Sequence, residues 1–170
     1  PLENAPLHRM AKILSSPYDG LHHFFLISAG YQDNLTKNQP VVVKEGVVGR
    51  LEKVGKGISR VLLLNDANSR IPVVTVDSQQ KAILAGDGTF FPTLVYVGDV
   101  RKIKLGEKIV TSGMGGVFPA GLPIGVVEKV THHDIRIRPY VPFREMEWVH
   151  ILRVNSGEFD EEVKAALRSE

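Results

Sequence analysis

The sequence predicts an all-β fold, and three observations carry that expectation. Its 170 residues hold 22 Val and 11 Ile against 9 Ala, an excess of β-branched side chains over the best helix former. Short apolar runs recur along the chain, and 16 Gly and 10 Pro supply turns between them. No long amphipathic helix stands between those runs, so a sandwich or barrels are expected rather than a parallel α/β sheet.

Residues 1–8 are polar and interrupted by proline, which predicts a frayed lead-in. Met10, Ile13 and Leu14 have helical spacing, but Ser15, Ser16, Pro17, Tyr18, Asp19 and Gly20 follow at once. The spacing leaves two helical turns or a short strand open there. Residues 24–27 read as a strand ending at Gly30, and 40–43 as another, closed by the turn-like Lys44, Glu45 and Gly46. Imperfect alternation from Gly46 to Val54 suits a strand that bends at Gly49. Further strands are expected at 60–64, 71–76, 81–84, 93–97 and 109–110, separated by turn chemistry at 65–69 and 85–88. Residues 124–130, 135–138 and 148–154 complete the set, the second with clean period two. Within 155–170, acids at Asp160, Glu161 and Glu162 precede Lys164 and Arg168, matching a helix dipole. That segment is expected as a short C-terminal helix or a polar tail.

Composition narrows the function classes. Lys and Arg number 21 against 19 Asp and Glu, so the chain lacks the dense basic field that phosphate-backbone binding demands, and nucleic acid is disfavoured as a partner. The absence of cysteine excludes disulfides, thiolate zinc sites, iron–sulfur ligation and cysteine nucleophiles, and fits an oxidising compartment. A hydrophobic share of 43% and a charged share of 24% describe a packed globular chain. No run approaches the roughly 20 apolar residues of a membrane helix.

The residues that could carry chemistry have plainer readings. His22–His23 and His132–His133 are adjacent pairs, and neighbours on a strand point to opposite faces, so neither pair chelates readily with both rings. Ser112 lies in a run lacking the G-x-S-x-G elbow, and Gly86-Asp87-Gly88 lacks a serine nucleophile. The glycine-rich stretch at 113–116 is followed by Val117, Phe118, Pro119, Ala120, Gly121, Leu122 and Pro123 rather than a helix, so it reads as a rigid connection, not a phosphate cradle. Phe90, Phe91, Leu94 and Tyr96 read most simply as core, although adjacent phenylalanines on one strand cannot share an interior, which leaves one as an interaction anchor. No catalytic, metal or cofactor site is expected.

Several ordered runs carry a resemblance. They are Pro40 to Val43 leading through Gly46, Val47, Val48, Gly49, Arg50 and Leu51 to Gly55; Ser59 to Asp66; and Asn68 to Val73. The longest runs from Gly106 through Val110-Thr111-Ser112-Gly113-Met114-Gly115-Gly116 and Phe118-Pro119-Ala120-Gly121-Leu122-Pro123 to Gly125. Over roughly residues 9–154 the chain resembles the extracytoplasmic domain of MreC, the bacterial rod shape-determining family. Glu107 stands where that family often has Asp.

The resemblance implies two small β-barrels of about six strands each, the second inserted in the first over roughly residues 48–125. It implies a non-enzymatic scaffold of cell elongation that organises lateral peptidoglycan synthesis. The implied partners are the elongation-specific class B penicillin-binding transpeptidase, MreD, the MreB machinery and further copies of the chain. It also implies a place in the periplasm or at the outer face of the plasma membrane, with a transmembrane helix and coiled coil upstream of this chain. Gly113, Gly116, Pro119, Gly121, Pro123 and Gly125 are the expected structural turn motif, and Phe90, Phe91, Tyr96 and Tyr140 the candidate partner contacts. A double-barrel hydrolase using Ser112, or a peptide- or glycan-binding β module, are the alternatives.

Overall fold

The computed structural model describes residues 7–15 and 23–153. Its strands are β1 (Leu7–Ser15), β2 (Phe24–Ile27), β3 (Pro40–Val43), β4 (Gly46–Val54), β5 (Ser59–Leu63), β6 (Arg70–Thr75), β7 (Lys81–Ala85), β8 (Thr93–Val95), β9 (Lys108–Thr111), β10 (Pro123–Val130), β11 (Ile135–Pro139) and β12 (Trp148–Leu152). They close into two antiparallel barrels, one in the order β1-β12-β3-β4-β5-β2 and the other β10-β11-β8-β7-β6-β9. The all-β, two-barrel expectation therefore holds. Closure leaves neither sheet with a free edge.

The ambiguous segment around Met10 is strand β1. Its backbone pairs with β12 on one side and β2 on the other, and Ala11 and, in part, Ile13 turn inward. That double ladder outweighs the helical spacing of three apolar residues. The expected C-terminal helix lies outside the described residues.

The second barrel comprises β6 to β11, inserted between β5 and β12. Its strands run from Arg70 to Pro139, so the expected span of 48–125 starts two strands early and stops one strand short. The reason is pairing: β4 joins β3 to β5 within the first barrel, whereas β11 closes the second by pairing β10 and β8. Apolar pattern alone does not reveal which neighbour a strand chooses.

Each barrel has a long strand between two neighbours that carries a bulge against each of them, and β1 has a register shift against each of its partners as well. In β4, Val48 is the extra residue opposite β3 and Glu52 the extra residue opposite β5. In β10, Ile124 is extra opposite β9 and Glu128 opposite β11. Such insertions raise the local twist and let a flat ribbon close.

The first barrel is filled by Phe25, Ile27, Val41, Val48, Leu51, Leu63, Ile151 and their neighbours. The core of the second, built on Ile71, Leu84, Ile109, Ile124 and Ile137, also takes in Val42, Val47, Leu64 and Leu152 from the first barrel. This seam explains the run at 40–43, which is buried on both faces of its strand. Val41 and Val43 point into their own barrel, and Val42 points into the seam. Across it, a Cβ on Gly46 would come within 2.5 Å of the Pro123 carbonyl oxygen, so the two backbones touch.

Candidate functional site

The β7–β8 connection is held like a bracket. The Asp87 carboxylate accepts from the Thr89 amide at 3.0 Å and the Thr89 hydroxyl at 2.6 Å, a self-closing turn. Its other oxygen pairs with the Arg136 guanidinium at 2.5 Å. Arg136 also donates to the Phe91 carbonyl at 3.0 Å and to Asp134 at 2.8 Å. The base of the loop is tied to the barrel junction, where the Gly88 amide donates to the Asn65 carbonyl and the His23 imidazole Nε2 lies 2.8 Å from the Gly88 carbonyl. Burial pushes the Asp87 carboxyl up, but hydrogen bonds from Thr89 and Arg136 outweigh it and hold the group below the usual carboxylate range. At Asp134 the Arg136 hydrogen bond is the main cause of a shift in the same direction.

This bracket presents Phe90 and Phe91, exposed by 53% and 37%. Facing them is the chain that returns to the first barrel, with Val141, Pro142, Phe143 and Arg144, and together they line a groove of about 240 Å³. The Arg144 guanidinium lies 4.9 Å from the centroid of the Phe90 ring, a cation–π arrangement. Phe143 packs against both barrel cores and Val141 is buried in the first, so the second wall is anchored as firmly as the first.

The expectation that these aromatics are mainly core is corrected by this arrangement. Phe90 and Phe91 sit in the loop before β8, not on a strand, so both rings reach solvent; of the four, only Leu94 is buried. Tyr96 is 87% exposed and has a left-handed φ of 53°, and Tyr140 is half-buried. Neither belongs to the groove lining. Burial is the larger influence on the Tyr140 phenol and pushes it up, with Arg138 offsetting part. The structure thus brings two of the four aromatic candidates together. It adds Phe143 and Arg144, which carried no periodic signal because they lie in irregular backbone, and Arg136, whose alternating neighbours marked only a strand.

The turn motif occupies the β9–β10 connection. Gly113, Gly116 and Gly121 have φ of 82°, 73° and 87°. Gly125 lies inside β10, where a Cβ would collide with the Arg138 carbonyl oxygen. The Thr111 hydroxyl donates to the Pro119 carbonyl at 2.6 Å and accepts from the Leu122 amide at 2.9 Å, while Pro123 opens β10. Ser112 is part of this turn: its amide donates to the Pro72 carbonyl and its hydroxyl accepts from the Met114 amide at 3.3 Å. Among the described residues, no hydrogen bond joins Ser112 to a histidine or carboxylate. The rings of His132 and His133 stand 6.5 Å apart, edge to face, and no three His, Asp or Glu side chains among the described residues gather at metal-binding range.

Comparison with known proteins gives consistent matches. The family model described as "Rod shape-determining protein MreC, barrel core" matches residues 13–153. The cell shape-determining protein MreC of Caulobacter vibrioides is 37% identical over 142 residues, covering 84% of this chain and 41% of that protein. The chain therefore spans less than half the length of that relative. A crystal structure of MreC from Pseudomonas aeruginosa superposes with a TM-score of 0.80 at 29% identity, covering 85% of this chain and 98% of that one. MreC in a solved complex between Penicillin-Binding Protein (PBP2) and MreC from Helicobacter pylori shares the fold at a TM-score of 0.65 and 16% identity, covering 87% of this chain and 100% of that one.

Proposed function

The chain belongs to the MreC family of rod shape-determining proteins, and from that premise we propose that it is a non-enzymatic scaffold of the bacterial cell-elongation machinery. Its task in this reading is to hold an elongation-specific class B penicillin-binding transpeptidase where lateral peptidoglycan is made. The observation that carries the reading is the Phe90–Phe91 pair, two apolar rings displayed beside a groove on a loop clamped by Arg136. Rings held in place lose little conformational freedom on binding, and desolvated aromatics with a neighbouring arginine are the usual anchors of an interface. The solved complex of a penicillin-binding protein with a Helicobacter pylori family member supports the partner class.

The wider assignments rest on the family: MreD and the MreB machinery as further partners, self-association, and a location in the periplasm or at the outer face of the plasma membrane with an upstream anchor. A relative's structure described as the major periplasmic domain supports the location. The test is titration of the purified chain against the soluble ectodomain of the transpeptidase. Phe90→Ala with Phe91→Ala should weaken binding by at least about thirtyfold, the loss expected of a single hot spot. Unchanged affinity in that variant would remove this groove from the interface. Peptide or ester hydrolysis lost on Ser112→Ala would replace the scaffold reading with the hydrolase one.

A further inference from the structure

A second exposed patch lies on the first barrel, around the tip of the β4–β5 hairpin. Arg9 of β1 reaches Asp33 there at 2.9 Å. Two turns meet at this pole. The Tyr31 amide donates to the Gly55 carbonyl at 2.8 Å and the Gln32 amide to the Lys56 carbonyl at 3.2 Å, zipping the 3-10 turn Tyr31–Asp33 onto the β4–β5 hairpin tip. Gly30 permits this, since a Cβ would collide with the Gly55 and Lys56 carbonyl oxygens. The Ser59 hydroxyl ties the same hairpin to the Ala29 carbonyl at 2.7 Å.

The result is a rigid convex tip from which Tyr31 and Ile58 protrude, 59% and 53% exposed. Lys53 and Lys56 of the same hairpin are exposed, as is Lys37, four residues after the Tyr31–Asp33 turn. The nearby carboxylates are neutralised by partners: Asp33 pairs with Arg9, and Glu52 with Arg60 at 3.4 Å. The pole thus shows one amphipathic ring, one aliphatic chain and surplus positive charge. Gly46, which meets the second barrel, and Val54, which leads into the tip, are the two ends of β4. The tip is therefore at the end of β4 opposite the one that meets the seam.

We propose that this pole docks on an anionic lipid bilayer, with Tyr31 and Ile58 entering the headgroup region and the lysines facing lipid phosphates. Two side chains on a convex tip are too little for the core of a stable protein interface, which buries on the order of 1,000 Å² or more. They do suit shallow insertion, because tyrosine carries an apolar ring with a polar tip and lysine reaches past apolar surface to anions. Lys37, Lys53 and Lys56, which form no ion pair among the described residues, supply the electrostatic half of the contact. The inference is independent of the transpeptidase groove, which lies on the β7–β8 loop and the β11–β12 return.

The experiment is co-sedimentation of the chain with vesicles of phosphatidylglycerol mixed into phosphatidylcholine, against vesicles of phosphatidylcholine alone. The chain should partition onto the anionic vesicles and be released by salt. Lys53→Glu with Lys56→Glu, and separately Tyr31→Ser with Ile58→Ser, should each lower partitioning by about tenfold. Lys102→Glu with Lys104→Glu, the same charge change on exposed lysines of the second barrel, should leave it close to the parent. Circular dichroism confirms that each variant is folded. Equal partitioning onto both vesicle types overturns the proposal, as does an equal loss in the second-barrel variant, or retention by the Tyr31 and Ile58 variant. Self-association that depends on Tyr31 and Ile58, without vesicle binding, would assign the patch to a second copy instead and also overturn it.

Discussion

The two barrels solve the same closure problem with different interiors. The first is sealed by its own hydrocarbon, around Phe25, Leu51 and Ile151. The second draws Val42, Val47, Leu64 and Leu152 from its host into its core. At its far end it buries a polar knot: Glu107 accepts from the Ser78 amide at 2.6 Å, the Ser78 hydroxyl at 2.7 Å and the Lys104 amide at 3.3 Å. An inserted barrel thus need not be an independent one. Its packing is completed by the strands between which it was inserted, while its own loops carry the Phe90–Phe91 groove.

The strongest way to break this comparison is at the seam. Leu64→Ala should destabilise by about 2–5 kcal/mol, since Leu64 is fully buried between the barrels. Thermal unfolding should remain one transition; two separated transitions would show that the barrels do not share a core. Gly125→Val should cost about 3 kcal/mol, because the new Cβ meets the Arg138 backbone rather than a movable side chain, and chemical denaturation measures it.

The polar knot sharpens the contrast through pH. Burial pushes the Glu107 carboxyl up, yet the hydrogen bonds from Ser78 and Lys104 outweigh it and leave the group below the ordinary value of 4.5. A lowered value means the stabilisation is fully present above that ordinary value and fades as pH falls through the lowered one. Glu107→Gln should therefore cost about 1–3 kcal/mol at neutral pH and flatten the acid limb of the stability curve. An unchanged acid limb would remove Glu107 as its cause.

Gly121→Val should cost on the order of 1 kcal/mol, from the left-handed φ of 87° alone, since nothing lies within 4 Å of a Cβ there. The difference from Gly125→Val separates backbone strain from collision, and an unchanged melting temperature would contradict it. Phe90→Ala with Phe91→Ala should change stability least, by about 0.5 kcal/mol or less, because both rings already face solvent. A larger loss would make the pair part of the second barrel's core after all.

The all-β class and most strand positions were legible in the sequence. Period-two alternation at Ile135 and Ile137, and β-branched runs bounded by glycine and turn residues, are local signals, set by which side chains fit a pleated surface. The long run from Gly106 to Gly125 was legible for the same reason, since left-handed positions and fixed proline angles demand particular residues where they occur. Three things belonged to the tertiary structure. β1 is a strand because β2 and β12 flank it, β4 and β5 stay with the first barrel because of whom they pair with, and Phe90 meets Arg144 because two loops more than 50 residues apart fold together. Pairing and burial are relations between distant segments, and a local pattern of apolar and turn residues constrains each segment without stating which other segment it will face.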